Sequence, residues 1–240
     1  MAENAPLIRF NLVDGDVRPP LVRAHDLAEV LQALEDIIES IVFSLYQVPR
    51  EELVIGLVVV EPGSVQLGLA PSLPDLALPA WGVAIRVAQH SDYRRLPHRA
   101  VQGFKRIVAV TKKYNCSGEL RLDEARAVIT PDTVPVAAPL IRGNTTLYGY
   151  LLRVGGRRPK VLLATTNGTI ACDTTQQIAR NLGNRLYSYV GVSGQAQWNA
   201  ETLKVETFRI ESVTPYTDTS PAAAMRELSE RYGHYFDDID

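Results

Sequence analysis

Few of the side chains able to move a proton, hold a metal or attack an electrophile lie close together in this chain. The four histidines, His25, His90, His98 and His234, are spread singly, without the short spacing of zinc ligands. Cys116 and Cys172 have no C-x-x-C partner and are too few for a disulfide framework, so they read as reduced thiols. There is no Walker-type or G-x-G-x-x-G phosphate loop, no H-E-x-x-H and no G-x-S-x-G. His25-Asp26 and His98 are of types that do acid–base work, but a lone histidine near a helix start more often caps or faces solvent. Asp237, Asp238 and Asp240 lack the shaped loop of a calcium site. The expectation is a non-catalytic protein with no cofactor and no metal.

Positive charge is more organised. Arg157, Arg158 and Lys160 fall together in Val154-Gly-Gly-Arg157-Arg158-Pro-Lys160, a turn between two strand-like runs. A second expected loop, Trp198 to Thr202, offers an indole that can stack on a base, and Lys204 follows it. Tyr148 and Tyr150 alternate on one strand and Tyr187 and Tyr189 on another, so each pair shares a face. Arg157, Arg158, Lys160, Trp198 and Lys204 are therefore the expected contacts to nucleic acid, with arginines on phosphates and the indole on a base. The opposing reading has the aromatics filling a barrel and the arginines keeping a turn solvated. A second basic cluster holds Arg99, Arg106 and Lys113, seven apart and on one helical stripe. Three roles fit that stripe: phosphate contact, docking on the first helix or the acidic tail, or a solvated face.

The elements that must position these groups follow from pattern. Asp14-Gly15 between apolar runs signals a hairpin, with Pro19-Pro20 confining the strand over Val17 to Val22 to an edge. Asp26 suits an N-cap for a helix over 27–46 whose stripe runs from Leu27 through Val30, Leu34, Ile37, Ile41 and Leu45, leaving Glu35, Asp36 and Glu39 on a solvated face. Residues 52–60 suit a central strand, with a turn at Pro62-Gly63 and a return over 64–70. A Pro- and Leu-rich loop, 71–79, precedes helices near 80–92 and 98–113, then short strands at 118–122 and 127–130. Prolines at 131, 135 and 139 mark a linker.

Beyond it, strands at 145–154, 159–166 and 168–173, a short helix over 174–182 and strands at 185–197 and 202–214 give the order β-β-β-α-β-β. That order fits a small five-stranded barrel of OB type, with Gly149, Gly191 and Gly194 at its bends. An SH3-like barrel or an open antiparallel sheet also accommodates it. Ser220-Pro221 opens a last helix running to about Tyr232, and residues 234–240 are acidic.

The expected fold class is thus α+β. An N-terminal α+β domain over 1–139, with two hairpins and three helices, precedes an OB-like barrel over 140–216 and an acidic helical tail over 217–240. The 240 residues carry 25 Lys+Arg against 27 Asp+Glu, which excludes a uniformly basic protein, and 46% hydrophobic residues exclude a disordered one. Near-neutrality hides unlike parts, because 140–216 carries nine basic and four acidic side chains and is flanked by acidic segments. No apolar run reaches the ~20 residues of a membrane span, and MAENAPLIRF lacks the pattern of a signal peptide, so the expected location is cytoplasmic. The expected partner is single-stranded nucleic acid. The competing one is a protein or a second copy, docked through the barrel and the acidic tail.

Overall fold

The computed structural model describes residues 7–15, 17, 21–61 and 65–214, with Ala222, Met225, Arg226, Ser229 and Glu230 beyond them. Those last few are helical; Pro19-Pro20, the Pro62-Gly63 turn and the acidic end lie outside the described residues. The structure is mixed α+β with two sheets, and the chain divides into two compact units. The first is residues 1–143 with 196–208, and the second is 144–195 with 209–240.

In the first unit an antiparallel sheet has the order β2-β3-β1-β4-β5. Its strands are β1 (Ile8–Val13), β2 (Ile55–Glu61), β3 (Val65–Pro71), β4 (Ser117–Leu122) and β5 (Ala125–Ile129). The hairpin expected at Asp14-Gly15 does not form. Both residues adopt the turn conformation, at φ 66° and 64°, but β1 pairs with β3 on one side and β4 on the other, leaving no free edge for the following segment. The run expected as a central strand, β2, lies at the edge, with Leu57 and Val58 exposed. β-Branched composition marks a pleated surface and does not by itself rank a strand within its sheet.

Three helices supply the rest of the core: α1 (Ala24–Tyr46), α2 (Pro74–His90) and α3 (His98–Tyr114). The α1 stripe is buried through Val30, Ala33, Leu34, Ile37, Ile38, Ile41 and Val42, whereas Leu45, expected at its end, is exposed. Asp26 is not its cap; Arg23 holds that position and Asp26 lies in the first turn. Helix α2 begins inside the stretch expected as a loop. Pro74 sits at its start, where no backbone donor is needed, and only Pro79 interrupts the ladder. Helices α1 and α3 approach closely at Gly103, where an added Cβ would lie 2.7 Å from Ile37 Cγ1 and 2.8 Å from the Ala33 carbonyl oxygen. Trp81, Tyr93 and Phe104 fill the space between helices and sheet, with Tyr93 and Phe104 packed edge to face at 5.1 Å.

In the other sheet β6 (Leu140–Gly155), β7 (Lys160–Thr165), β8 (Gly168–Asp173), β9 (Tyr189–Asn199) and β10 (Val205–Thr214) close into a ring of order β10-β8-β7-β6-β9. Helix α4 (Gln176–Gly183) lies between β8 and β9 in the chain and is capped by Thr175, whose Oγ1 accepts the Ile178 N–H at 3.3 Å. Leu151, Val161, Leu163, Cys172, Val190, Val192 and Ile210 are buried along the strands, and Leu182 from α4 joins them. At Gly149 and Gly194 a Cβ would overlap the carbonyl oxygens of Ala164 and Arg209, so these positions tolerate no side chain.

Candidate nucleic-acid interface

Alternation along β6 decides which way its tyrosines face. Gly149 and Leu151 are buried, so Tyr148 and Tyr150 point outward from the ring. The reading in which these aromatics fill the barrel is therefore corrected for this pair. Strand β9 is the neighbour of β6, and Tyr189 meets Tyr150 edge to face with centroids 5.2 Å apart and rings at 79°. The Tyr148 ring lies across Gly191, where an added Cβ would come 2.8 Å from Tyr148 Cε1. Tyr187 precedes β9 in a left-handed conformation, φ 60°, and is 78% exposed; Tyr150 is 56% exposed. One turn further down this outer face, hydroxyls of Thr146, Ser193 and Thr214 form a row at 2.7 and 2.5 Å. Tyr148, Tyr150 and Tyr189 thus make a small aromatic surface held by strand pairing, with the Tyr150 ring largely open to solvent.

The basic turn joins β6 to β7. Gly155 and Gly156 hold φ 132° and 101°, values that L side chains rarely adopt, and they carry the chain into Arg157 and Arg158. Arg157, Arg158 and Lys160 are all exposed. None of the three enters an ion pair among the described residues. Over 144–195 the cations Arg153, Arg157, Arg158, Lys160, Arg180 and Arg185 face a single carboxylate, Asp173.

Trp198 and Lys204 fall in the other unit. The Trp198 ring is half-buried against Gly143, within 3.4 Å of where its Cβ would stand. Lys204 Nζ donates to the Ser44 carbonyl oxygen at 3.3 Å, in the last turn of α1. In the loop between them, Asn199 is fully engaged. Asn199 Oδ1 accepts the Glu201 and Thr202 N–H groups at 2.9 and 3.0 Å, while its Nδ2 donates to the Arg94 carbonyl oxygen and to Glu206. Glu206 in turn accepts the His98 N–H at the start of α3, at 3.2 Å, and Arg94 pairs with Glu201 at 3.3 Å. Asn199 thus serves backbone groups of its own unit, while Glu201, Thr202 and Lys204 remain exposed.

The α3 stripe is likewise spoken for. Arg99 and Arg106 donate to Asp36 on α1, Arg99 Nε at 2.7 Å, and Arg50 adds a further contact to Asp36 Oδ1 at 3.1 Å. Lys113 Nζ reaches both oxygens of Asp26 at 2.8 and 2.7 Å, and Tyr114 OH donates to the same carboxylate at 2.6 Å. Asp36 is 8% exposed and Glu39, paired with Arg50, is nearly as buried, which corrects the solvated face assigned to them. Burial alone would raise the Asp36 carboxyl; hydrogen bonds from Arg99 and Arg106, with their charges, outweigh it and hold the group below the ordinary value. Lys113 and then Tyr114 do the same for Asp26. Of the three roles open to Arg99, Arg106 and Lys113, these ion pairs match docking on the first helix, with Arg99 and Lys113 still half exposed.

Neither thiol is poised for chemistry. Both are buried, and burial pushes Cys172 up to about 12 and raises Cys116. Among the described residues no group of three or more His, Cys, Asp or Glu could hold a metal ion, and no helix is long and apolar enough to cross a membrane. No family model, curated protein or solved structure matched the chain.

Proposed function

We propose that this protein is a non-catalytic binder of single-stranded nucleic acid, acting through the outer face of an OB-like ring. The observation that carries it is the outward tyrosine surface of Tyr148, Tyr150 and Tyr189, with the exposed Tyr187 just before β9, on a segment whose charged side chains are almost all basic. Numbering the ring strands one to five, their order around the ring is one-two-three-five-four, with a helix between three and four, which supports the OB-like reading. Aromatic faces stack on bases of any identity, and unpaired arginines release counterions on meeting phosphates. Arg157, Arg158 and Lys160 stay in the contact set. The tyrosines take the stacking role first assigned to Trp198, because that indole is half-buried and Lys204 is committed to α1. From Tyr148 to Gly155 the strand spans about 23 Å at ~3.3 Å per residue, room for several nucleotides.

A labelled single-stranded 12-mer titrated at several salt concentrations tests this. The expected result is binding that weakens with salt, drops about tenfold or more in Tyr150→Ala, and loses roughly 1.4 units of log–log salt slope in the double variant Arg157→Glu, Arg158→Glu. No binding at low salt, or binding indifferent to all three substitutions, overturns it. Tyrosines are also enriched at protein interfaces. A concentration-dependent change of mass in light scattering, abolished by Tyr150→Ala in the absence of nucleic acid, would favour the protein-partner reading instead.

A further inference from the structure

The sheet of the first unit has a second charged feature that the helix packing does not use. Register places Arg9 of β1 opposite Arg121 of β4, and Arg121 opposite Arg126 of β5. Directly paired residues project from the same side of a sheet, so the three guanidinium side chains stand in one row across three adjacent strands. The flanking rows, Phe10–Leu120–Ala127 and Leu12–Gly118–Ile129, project to the opposite side and belong to the buried core beneath the helices. On the other side of Arg9 the partner is Gly68 of β3, which places no side chain beside it.

Like charges directly opposite one another weaken a sheet, and only one carboxylate in the adjoining row relieves them. Glu119 is buried and anchored by Asn11 Nδ2 at 3.4 Å. It meets Arg121 at Nε, 3.7 Å away, and Arg126 at Nε. The two arginine side chains nonetheless remain 47% and 57% exposed. Arg9 is exposed and has no side-chain partner among the described residues. Asp123 and Glu124 form the turn at the end of the β4–β5 hairpin, beyond the row. A buried acid beside the row thus fixes two arginines while the third has no side-chain partner among the described residues, an arrangement suited to gripping an anion.

We propose that Arg9, Arg121 and Arg126 form a binding site for an anion carrying two or more adjacent phosphate groups, either inorganic polyphosphate or the polyphosphate part of a nucleotide. Cross-strand neighbours stand ~5 Å apart, so the row is about 10 Å wide, wider than one phosphate needs. Guanidinium forks match phosphate oxygens in pairs and remain charged at any physiological pH. The site lies in the first unit and is independent of the aromatic surface.

Isothermal titration of the full chain with phosphate, tripolyphosphate and a nucleoside triphosphate decides it. Saturable tripolyphosphate binding is expected, at least about tenfold tighter than phosphate, and Arg9→Gln should weaken it about tenfold. That substitution leaves Glu119 with both arginines, so its thermal midpoint should match the parent. Arg157→Glu with Arg158→Glu should leave this binding unchanged, which separates the two sites. Similar tripolyphosphate and nucleotide affinities would identify the phosphates as the recognised part. Absence of tripolyphosphate binding, indifference to Arg9→Gln, equal affinity for phosphate, or binding of the nucleotide alone would each overturn the assignment.

Discussion

Two basic clusters, one in each unit, use positive charge in opposite ways. In the first, Arg50, Arg99, Arg106 and Lys113 are drawn inward onto the carboxylates Asp26, Asp36 and Glu39, and they join α3 and the segment after α1 to α1. In the second, Arg157, Arg158 and Lys160 project from a turn with no acid opposite them among the described residues. A cluster of basic residues in sequence is therefore not by itself an interface. What separates the cases is how much buried carboxylate the fold delivers. Asp26, Asp36 and Glu39 meet the cations around α1, and Glu119 alone meets Arg121 and Arg126. No acid among the described residues meets Arg157, Arg158 and Lys160. The acids that neutralise the α3 stripe come from 63 and 87 residues away in the chain.

That contrast can be broken most severely at Gly103. Replacing it with leucine forces a side chain onto the Ala33 carbonyl and Ile37, and should cost about 3 kcal/mol or more. Denaturant unfolding followed by tryptophan fluorescence reads this directly, since Trp81 and Trp198 both belong to the first unit. A loss under about 1 kcal/mol would mean the helices separate easily at this crossing. Next in size is Asp36→Asn, which leaves three arginines around a neutral, buried amide and should cost ~2 kcal/mol. Arg157→Gln with Arg158→Gln should stay within about 0.5 kcal/mol of the parent. Equal costs for the two changes would erase the distinction between the units.

The same distinction has a pH signature. Asp26 and Asp36 have folded-state pKa values below their unfolded ones, so their stabilisation is present above the unfolded carboxyl pKa of about 4 and is lost as pH falls through the folded values. Glu39 has the opposite sign: burial raises it, so its protonation favours the folded state and offsets part of that loss. Unfolding free energy should hold level from neutral to about pH 5 and decline below about pH 4, with a shallower decline in Asp36→Asn. An identical slope in that variant would remove Asp36 from the acid response.

The smallest expected change is an increase. Tyr187 holds a left-handed conformation while 78% exposed, so Tyr187→Gly should stabilise by ~1 kcal/mol while weakening oligonucleotide binding. A gain in stability with unchanged binding would remove this ring from the proposed surface.

Much of the local structure was legible in the residues. The α1 stripe, the α3 span, the succession of strands and helix from β6 to β10 and the exposed turn at Arg157 and Arg158 all follow from period, turn chemistry and charge. What was missed depended on partners distant in sequence. Asp36 looked solvated because its helical neighbours Glu35 and Glu39 are acidic, and nothing local signals that Arg99 and Arg106 will close over it. Trp198 looked available because a tryptophan beside a polar turn resembles a stacking platform. Its contact with Gly143 comes from a strand more than fifty residues earlier. The Arg9–Arg121–Arg126 row has no sequence signal at all, because only strand register brings the three together.

By itself, then, the sequence determined most of the elements, the buried face of α1 and the segmental charge, because hydrophobic period and backbone conformation are local properties of a chain. Tertiary structure decided which charges are spent on the fold and which remain for a ligand. Whether an arginine is paired depends on burial and on a carboxylate within about 4 Å, and both are fixed only when distant strands and helices meet.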